Sequence, residues 1–355
     1  MIRNTLVKIL LSPFSLLYGF GVSLRDFFYR KGLLKGVEFN LPVISVGNLS
    51  VGGAGKTPHI EYLIRLTKDY LNVATLSRGY KRKTKGYIEA TPVSTAEQVG
   101  DEPLQFKRKY PEIMVTVSES RTFGIPEIIK NRPDTEVVLL DDAFQHRSVK
   151  PGLNILLTEF HHPFTKDYLL PSGRLREWRS AYQRADVIVV TKCPDDITEE
   201  ERNELLTDIQ PLAHQRVFFS WYEHQRPYYL LNSQYVTDLQ KDWDVLLISA
   251  IARTDYLVDY LETKVNSVKV LEYADHHFFT NYDISHLKRT FENMPNKKKL
   301  ILTTEKDAMR LELHKEFFQK NKLPLFVVPV EVNFHFEERA QFDGLVKDFL
   351  LNFKV

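Results

Sequence analysis

Short apolar runs alternate with longer amphipathic stretches along most of the chain. Runs rich in β-branched and aliphatic residues cover residues 43–46, 73–77, 113–117, 136–140, 154–158 and 186–191. Between such runs, apolar positions recur at helical spacing, as in residues 60–66. Strands that alternate with helices are typical of an α/β fold with a doubly wound, mostly parallel sheet, and ligands bind such a sheet at the carboxyl ends of its strands.

The same alternation continues in the second half of the chain. Further strand-like runs cover residues 217–221, 245–249, 268–273, 300–303 and 325–330. The pattern of residue types along the sequence changes near residues 151–152 and again near residues 225–227. We therefore predict four parts: an N-terminal helix (1–36), a nucleotide domain (37–150), a second, smaller α/β domain (151–330) and a C-terminal helix (331–355) that packs back on the nucleotide domain.

A glycine-rich loop follows the first predicted strand and precedes the first amphipathic helix. It ends in Gly55-Lys56-Thr57, and its eight residues are Ser50, Val51, Gly52, Gly53, Ala54, Gly55, Lys56 and Thr57. This strand–loop–helix order is the context of a phosphate-binding P-loop, although Ser50 stands where the strict pattern has glycine. The backbone N–H groups and Lys56 would bind phosphates of ATP, and the Thr57 hydroxyl would bind Mg²⁺.

Composition places the chain among soluble globular proteins and excludes several classes. It has 355 residues, 43% of them hydrophobic and 26% charged, so disorder is not expected. The net charge of +2 favours no nucleic-acid partner. The single cysteine, Cys193, excludes an internal disulfide and a cysteine-based zinc cluster.

The N-terminal segment is unusually apolar. No charged residue occurs between Ile9 and Leu24, and basic residues such as Arg3 and Arg25 flank the run. The run is shorter than the roughly 20 residues of a bilayer span and is interrupted by Pro13, Gly19 and Gly21. We predict a helix that lies in the membrane interface, with apolar residues on one face and basic flanks that favour anionic lipid. The alternative is a helix packed on the protein's own core.

Two carboxylates follow the apolar run at residues 136–140. Asp141 and Asp142 resemble the end of a Walker B strand, which delivers a carboxylate to the metal beside a P-loop. Gln145 and His146, a few residues later, would lie next to the same phosphates. We predict a magnesium site here, in which either aspartate could be the main ligand.

For several other polar residues, the sequence allows both a structural and a functional interpretation. Asp101 and Glu102 either form part of a site or start a helix after a turn. Adjacent histidines on a strand point to opposite faces, so His276 and His277 are not expected to share a metal, but one of them could pair with a carboxylate as a general base. Candidates for clamping phosphate oxygens are Arg121, Arg174 and Arg176.

Several motifs occur together in a defined order over nearly the whole chain. They cover residues 47–58, 77–80, 100–103, 141–146, 170–177, 274–276 and 304–308. In combination they resemble the tetraacyldisaccharide 4'-kinase family of Gram-negative lipid A synthesis, whose loop also lacks glycine at the Ser50 position. The sequence departs from the family pattern at Ala143, where glycine is common, and at Trp178, where proline is common.

The resemblance implies an enzyme that transfers the γ-phosphoryl group of ATP to the 4'-hydroxyl of an acylated glucosamine disaccharide 1-phosphate, forming lipid IVA. It implies a catalytic dyad of Asp101 and His276, with Lys56 neutralising charge. It implies metal ligands among Thr57, Asp141, Asp142 and Glu177. It extends the phosphate or substrate clamp to Glu102, Arg121, Gln145, His146 and Arg176.

A lipid with four acyl chains does not readily leave the bilayer, so such an enzyme would act at the membrane surface, on the cytoplasmic face of the inner membrane, as a peripheral or monotopic protein. We expect no obligate protein partner. The alternative function is a membrane-associated P-loop ATPase that acts as a switch or partitioning factor. A lipid-binding module without enzymatic activity would leave the P-loop unexplained.

Overall fold

We describe the fold from a computed structural model of the full chain, which describes residues 5–353. The predicted basic flank at Arg3 lies outside the described residues.

The strands fall into two separate sheets. In chain order they are β1 (Val43–Asn48), β2 (Val73–Ser77), β3 (Ile88–Glu89), β4 (Met114–Val117), β5 (Val137–Asp141), β6 (Leu153–Glu159), β7 (Val187–Thr191), β8 (Arg216–His224), β9 (Tyr228–Tyr229), β10 (Asn232–Val236), β11 (Asp244–Ser249), β12 (Ser267–Glu272), β13 (Lys299–Thr304), β14 (Leu325–Val328) and β15 (Val330–Phe334). The predicted α/β class is confirmed, because helices separate most of these strands.

The α-helices are α1 (Thr5–Arg30), α2 (Lys56–Thr67), α3 (Ala96–Val99), α4 (Asp101–Lys109), α5 (Arg121–Asn131), α6 (Glu199–Ile209), α7 (Asp255–Glu262), α8 (Asn281–Glu292), α9 (Glu305–Leu311), α10 (Lys315–Lys320) and α11 (Arg339–Leu351). Short 3-10 helices cover Phe164–Lys166, Arg179–Arg184 and Glu312–His314.

The first sheet has nine strands in the order β15-β8-β7-β6-β1-β5-β2-β4-β3. The strands from β8 to β4 pair in parallel, and only the edge strands β15 and β3 are antiparallel. β1 is central, between β6 and β5, and its residues are fully buried. Parallel strands covered on both faces read as continuous apolar runs, which is why the sequence predicted them. The carboxyl ends of β1 and β5 therefore meet at the middle of the sheet.

The second sheet has six strands in the order β10-β9-β14-β13-β11-β12. It contains the segment from residue 228 to residue 328, so the two sheets divide the chain at a different point from the predicted boundary at residue 150. β6, β7 and β8 continue the first sheet, and β15 returns to it at the far edge. The apolar runs of β6, β7 and β8 resemble those before residue 150, so the residue pattern alone could not assign these strands to one sheet or the other.

The C-terminal helix lies against the first sheet. Phe342 and Val346 of α11 are buried in the same core as Ile60 and Ile64 of α2. The Phe342 ring also meets the ring of Tyr62 edge-on, with centroids 5.7 Å apart. The end of the chain thus packs on the helix that follows the glycine-rich loop.

The N-terminal helix α1 is the one helix of the described residues long and apolar enough to cross a membrane, by length and composition. Its large apolar side chains face outward: Leu10, Phe14 and Leu17 are 73%, 62% and 72% exposed. Ser15 and Gly19 face the protein instead. The Ser15 hydroxyl is 2.8 Å from that of Ser172. This arrangement is the reverse of a helix packed on a soluble core.

Close packing at Gly19 fixes the position of α1. The Trp178 indole N–H donates to the Gly19 carbonyl at 3.2 Å and to the Ser23 hydroxyl at 2.9 Å. A Cβ atom on Gly19 would lie 2.4 Å from the Trp178 ring, so a larger residue there would displace the ring. The Tyr18 hydroxyl donates to the Arg176 carbonyl at 2.8 Å. α1 is thereby joined to the segment that carries Arg176.

Candidate active site

A cleft of about 900 Å³ lies at the carboxyl ends of the central strands of the first sheet. Its walls come from both sheets and from α1. Members of the predicted site that line it include Ser50, Val51, Gly52, Gly53, Gly55, Lys56, Thr57, Glu102, Arg121, Asp141, Asp142, Gln145, His146, Arg176 and His276. Residues separated by more than 200 positions in the sequence therefore face one space.

The glycine-rich loop joins the end of β1 directly to the start of α2, as a P-loop requires. Gly55 precedes α2 with a φ of 89°, in the left-handed region that favours glycine. A Cβ atom there would lie 2.3 Å from the Tyr222 hydroxyl, so a side chain is excluded for a second reason. Backbone N–H groups at the start of α2 face the cleft, where helix geometry favours an anion.

Lys56 lies at the base of this loop between polar partners. Its ammonium group donates to the Asn48 side-chain oxygen at 3.1 Å and lies 3.7 Å from the Asp142 carboxylate. Arg176 approaches the same pair, at 2.6 Å from the Asn48 oxygen and 2.9 Å from Asp142 Oδ1. Two cations therefore converge on one carboxylate beside the P-loop.

The two aspartates at the end of β5 have opposite electrostatic environments. Burial acts to raise the pKa of Asp142, but the charges of Lys56 and Arg176 outweigh it and hold that pKa below its ordinary value. Asp141 is 1% exposed, and its pKa is raised to about 7, first by burial and then by the charge of Glu102. Asp141 Oδ1 accepts no hydrogen bond from the described residues.

Arg121 is fully buried beneath the aspartates. Its guanidinium donates to the Asp141 carbonyl at 3.1 Å and to the Ser118 carbonyl at 3.3 Å. Burial lowers its pKa to about 10, so it stays charged at neutral pH. Burial and the charge of Arg121 lower the pKa of His146 to about 4, which leaves that imidazole neutral. The site thus keeps a fixed positive charge next to an unpaired carboxylate oxygen.

Asp101 and His276 come together across the two sheets. Asp101 is the first residue of α4, as the helix-starting reading predicts, and its Oδ2 atom lies 2.9 Å from His276 Nδ1. His276 lines the cleft in the loop after β12, whereas the Asp101 carboxylate is only 4% exposed behind it. His277 instead lies 2.9 Å from Asp283, so the two histidines have separate partners. The contact pairs the two residues predicted as a dyad.

Besides Asp101, three predicted site residues lie away from the cleft lining. Glu177 is buried, and its carboxylate oxygens are taken by Arg25 and by Arg184, the latter at 2.5 Å. Arg174 pairs with Asp167 at 2.7 Å rather than facing the P-loop. Ala54 is buried beneath the loop. Because Glu177 does not line the cleft, whereas Asp141 and Asp142 do, we leave Glu177 out of the metal site.

Several residues of the site had no predicted role. The sequence signal for Lys306 was its place in the motif at residues 304–308, but the motif did not indicate what Lys306 contacts. Its ammonium group lies 3.0 Å from Glu102 and 3.0 Å from His276 Nε2. Lys192, Tyr222 and Tyr256 also line the cleft, and no motif marks the two tyrosines.

A doubly wound sheet with a P-loop, paired carboxylates at the end of the neighbouring strand and an Asp–His pair across the cleft defines a P-loop phosphotransferase. Comparison with known proteins gives the particular family. The model of the family described as Tetraacyldisaccharide-1-P 4'-kinase matches residues 7–350.

Similar proteins cover nearly the whole chain. A tetraacyldisaccharide 4'-kinase from Phocaeicola vulgatus is 40% identical over 355 residues, 98% of this chain and 97% of its own length. One from Flavobacterium johnsoniae is 43% identical, covering 91% of this chain and 92% of its own. A crystal structure of "apo" form LpxK from Aquifex aeolicus in complex with ATP has a TM-score of 0.72 and 29% identity, and covers 97% of this chain and 99% of that one.

The chain belongs to the tetraacyldisaccharide-1-P 4'-kinase family. The predicted resemblance and the P-loop fold are both confirmed by these matches. The alternative prediction, an ATPase switch or partitioning factor, is not favoured.

Proposed function

We propose that this chain transfers the γ-phosphoryl group of ATP to the 4'-hydroxyl of a tetraacylated glucosamine disaccharide 1-phosphate, a step of lipid A biosynthesis. The family gives the activity of an ATP-dependent 4'-kinase. The single observation that supports the assignment of roles is the convergence of Lys56, Asp142 and the Asp101–His276 pair on one cleft, although they come from distant parts of the chain.

The P-loop residues would bind the triphosphate. Backbone N–H groups of the loop and the start of α2 present partial positive charge, and Lys56 adds a full charge at the same place. Arg176 and the buried Arg121 bring two further cations to the cleft. Phosphoryl transfer depends mainly on positioning and on neutralising charge on the equatorial oxygens, so these residues act by fixed electrostatics.

The carboxylates beside the P-loop fit a magnesium ion. Asp141 has a buried oxygen without a hydrogen-bond partner among the described residues, and a cation bound there would satisfy it. The described residues hold no group of three or more His, Cys, Asp and Glu that could together hold a metal ion. Mg²⁺ needs none, since it is commonly held by one or two carboxylates, waters and substrate phosphates. Asp141, Asp142 and Thr57 would hold the ion, which would neutralise phosphate charge.

Asp101 and His276 would act together on the acceptor hydroxyl. His276 faces the cleft, and Asp101 fixes its ring through the 2.9 Å contact with Nδ1. The dyad would accept the proton as the hydroxyl oxygen attacks the γ-phosphorus, and the bond to the β,γ-bridging oxygen breaks. Two coupled groups titrate as a pair, so we assign the proton to the dyad rather than to one residue.

We further propose that α1 carries the protein to the cytoplasmic face of the inner membrane. Its outward-facing leucines and phenylalanines form an exposed apolar surface that soluble proteins rarely present. Tyr18, Gly21, Val22 and Arg25 of the same helix line the cleft. A lipid whose acyl chains remain in the bilayer would thus meet the P-loop beside α1.

Product analysis tests the proposed reaction. Purified protein is incubated with ATP, Mg²⁺ and the tetraacyldisaccharide 1-phosphate in mixed micelles, and the lipid is examined by mass spectrometry. We expect one added phosphate on the sugar distal to the 1-phosphate, and ATP turnover that depends on the lipid. Lipid-independent ATP hydrolysis without a phosphorylated lipid would refute the kinase and support the switch.

Vesicle binding tests the membrane assignment. The double variant Leu10→Gln, Phe14→Gln removes two exposed apolar side chains that make no packing contribution to the core. After centrifugation with anionic vesicles, we expect the variant to stay in the supernatant and the wild-type protein to sediment with the vesicles. Equal sedimentation of both proteins would contradict a role for this surface.

A further inference from the structure

Arg310 lies at the centre of the contact between the two sheets. It belongs to α9, on the second sheet, and its side chain is 1% exposed. Its Nη1 atom donates to Asp101 Oδ2 at 2.8 Å, on the first sheet's side. No sequence motif assigned a role to Arg310, which is 209 positions from Asp101. A fully buried arginine needs acceptors for its donors, and a carboxylate is the strongest of these.

The same guanidinium also touches the support of His276. Its Nη2 atom donates to the Ala250 carbonyl at 3.2 Å. That carbonyl also accepts the backbone N–H of His276 at 2.9 Å. His276 has a φ of 58°, an uncommon conformation for a residue with a side chain, so its backbone needs such support. Arg310 therefore contacts one member of the dyad directly and shares an acceptor with the other.

Asp307 fixes the guanidinium from the opposite side. Its Oδ1 atom accepts from Arg310, and its Oδ2 atom accepts from the Thr304 hydroxyl at 2.8 Å and from the Ala250 N–H at 3.2 Å. Asp307 is fully buried. The orientation of Arg310 is thus set by α9 and by the end of β11, before any substrate is considered.

The remaining charges near Asp101 complete its surroundings. The titratable and charged groups that face the dyad are Glu102 on α4, Asp275 beside His276, Lys306 and Arg310 on α9, and Lys81, whose ammonium group donates to the Asp275 carbonyl. Burial acts to raise the pKa of Asp101, but the hydrogen bond from His276 and the charges of Lys306, His276 and Arg310 outweigh it. The carboxylate stays ionised at neutral pH.

We infer that Arg310 is a positioning residue for the phosphoryl-transfer reaction. Its hydrogen bonds to Asp101 and to the Ala250 carbonyl set the geometry of the dyad. This geometry exists only when the two sheets are in contact. The inference rests on the proposed catalytic role of Asp101 and His276. Arg310 does not line the cleft and would not touch either substrate.

Kinetics of Arg310→Met and Arg310→Lys test the inference. We expect Arg310→Met to lower kcat by roughly 10²-fold, because a small displacement of a catalytic group costs about that much, with little change in the KM for ATP. Arg310→Lys keeps the charge but cannot contact Asp101, Asp307 and Ala250 together. Its kcat should therefore lie between the kcat of the wild type and that of Arg310→Met.

The pH profile separates positioning from a merely structural effect. A cation near a carboxylate lowers its pKa by about 1–3 units, so its loss raises the pKa of the dyad carboxylate. The acid limb of kcat in Arg310→Met should therefore move to higher pH by about one unit, and Arg310→Lys should return it toward the wild-type position.

Arg108→Met is the matched control. Arg108 also joins α4 to the second sheet's side, through a partly exposed ion pair with Glu312 at 3.1 Å, but it contacts neither member of the dyad. It should keep wild-type kcat and pH profile. Circular dichroism melts verify that each variant is folded, and if Arg310→Met does not fold, Arg310→Lys alone decides. An Arg310→Lys protein with wild-type kcat would overturn the inference.

Asp101→Asn distinguishes the two levels of the hypothesis. If Arg310 acts through Asp101, adding Arg310→Met to Asp101→Asn should cost little more than Asp101→Asn alone. Full additivity, or an unchanged acid limb in folded Arg310→Met, would overturn the inference while leaving the proposed function intact. A wild-type rate in Asp101→Asn would instead refute the proposed dyad itself.

Discussion

At the scale of single residues, charge placement around the P-loop decides the chemistry. Lys56→Ala should lower kcat by at least about 10²–10³-fold, the usual cost of removing one preorganised electrostatic contact. Asp142→Ala should do the same, because Asp142 lies within reach of both Lys56 and Arg176. Activity is measured by lipid phosphorylation, with a melt to show that the fold persists.

Lys68→Ala is the control for Lys56. Lys68 follows the same helix, α2, and its ammonium group pairs with Asp69 and Glu112 near the surface. It should retain wild-type activity. Comparable activity in Lys56→Ala and Lys68→Ala would show that charge at the P-loop is not required.

His59 makes the fold sensitive to acid. It is 3% exposed on α2, where Nδ1 lies 2.8 Å from the Gly55 carbonyl and Nε2 lies 3.1 Å from the Ser220 hydroxyl. Burial lowers its pKa to about 4, whereas the unfolded chain takes up a proton near pH 6.5. Between these values the unfolded state binds more protons, so this contribution to stability falls as the pH falls, by about 2 kcal/mol at pH 5.

Denaturant titrations at pH 7 and pH 5 measure this effect. The loss of unfolding free energy between the two values should be smaller in His59→Gln, which cannot titrate, than in the wild type. Both proteins contain the other ionisable groups, so the difference between their two losses isolates His59. Equal losses would contradict a buried neutral histidine at the end of the P-loop.

At the scale of elements, most strands of the first sheet could be predicted from the sequence, but the arrangement of the site could be predicted only in part. Continuous apolar runs predicted β1, β2, β5 and β7 because burial on both faces leaves a strong pattern. The antiparallel edge strand β15 was missed, since its burial is partial and it follows β14 after a single residue. Local motifs marked the P-loop, but no local pattern could bring α9 against α4.

The close contact between Gly19 and Trp178 is one of the contacts that hold α1 in place. Gly19→Ala should loosen α1 from the protein, because the added Cβ would lie 2.4 Å from the Trp178 ring. Gly21→Ala is the matched control, since a Cβ there meets no atom within 4 Å and alanine favours a helix by about 1 kcal/mol over glycine.

Trp178 fluorescence and limited proteolysis report on this contact. We expect Gly19→Ala to shift the Trp178 emission to longer wavelength and to increase cleavage near the end of α1, while Gly21→Ala stays like the wild type. Trp221 and Trp243 also emit, so the spectra are compared in a background with both replaced by phenylalanine. Identical behaviour of the two alanine variants would show that α1 is not held at Gly19.

At the scale of the whole molecule, the chain builds the first sheet, leaves it for the second, and returns. β15 and α11 close the first sheet after the second is complete. The contacts between the sheets are partly apolar, because Ala308, Met309 and Val327 share a buried core with residues of the first sheet. They also include polar pairs such as Lys306–Glu102 and Arg108–Glu312, and Arg310 is buried among them. One continuous segment, from β9 to β14, nevertheless forms the whole second sheet. We therefore propose two units, residues 37–224 with 330–351, and residues 228–328.

A pair of core truncations tests this division. Phe342→Ala removes a buried ring that packs on Tyr62 in the first unit, and Phe318→Ala removes a fully buried ring in the core of the second. Each substitution should lower the free energy of unfolding by about 3–5 kcal/mol, the usual loss for such a cavity.

Hydrogen exchange followed by mass spectrometry locates the effect, because exchange rises where the local free energy of opening falls. Phe342→Ala should raise exchange in β8, β15 and α2, and Phe318→Ala should raise it in β11, β13 and β14. If either variant raised exchange equally in both sheets, the chain would be one cooperative unit, and the contact between Arg310 and Asp101 would be part of a single core rather than a joint between two.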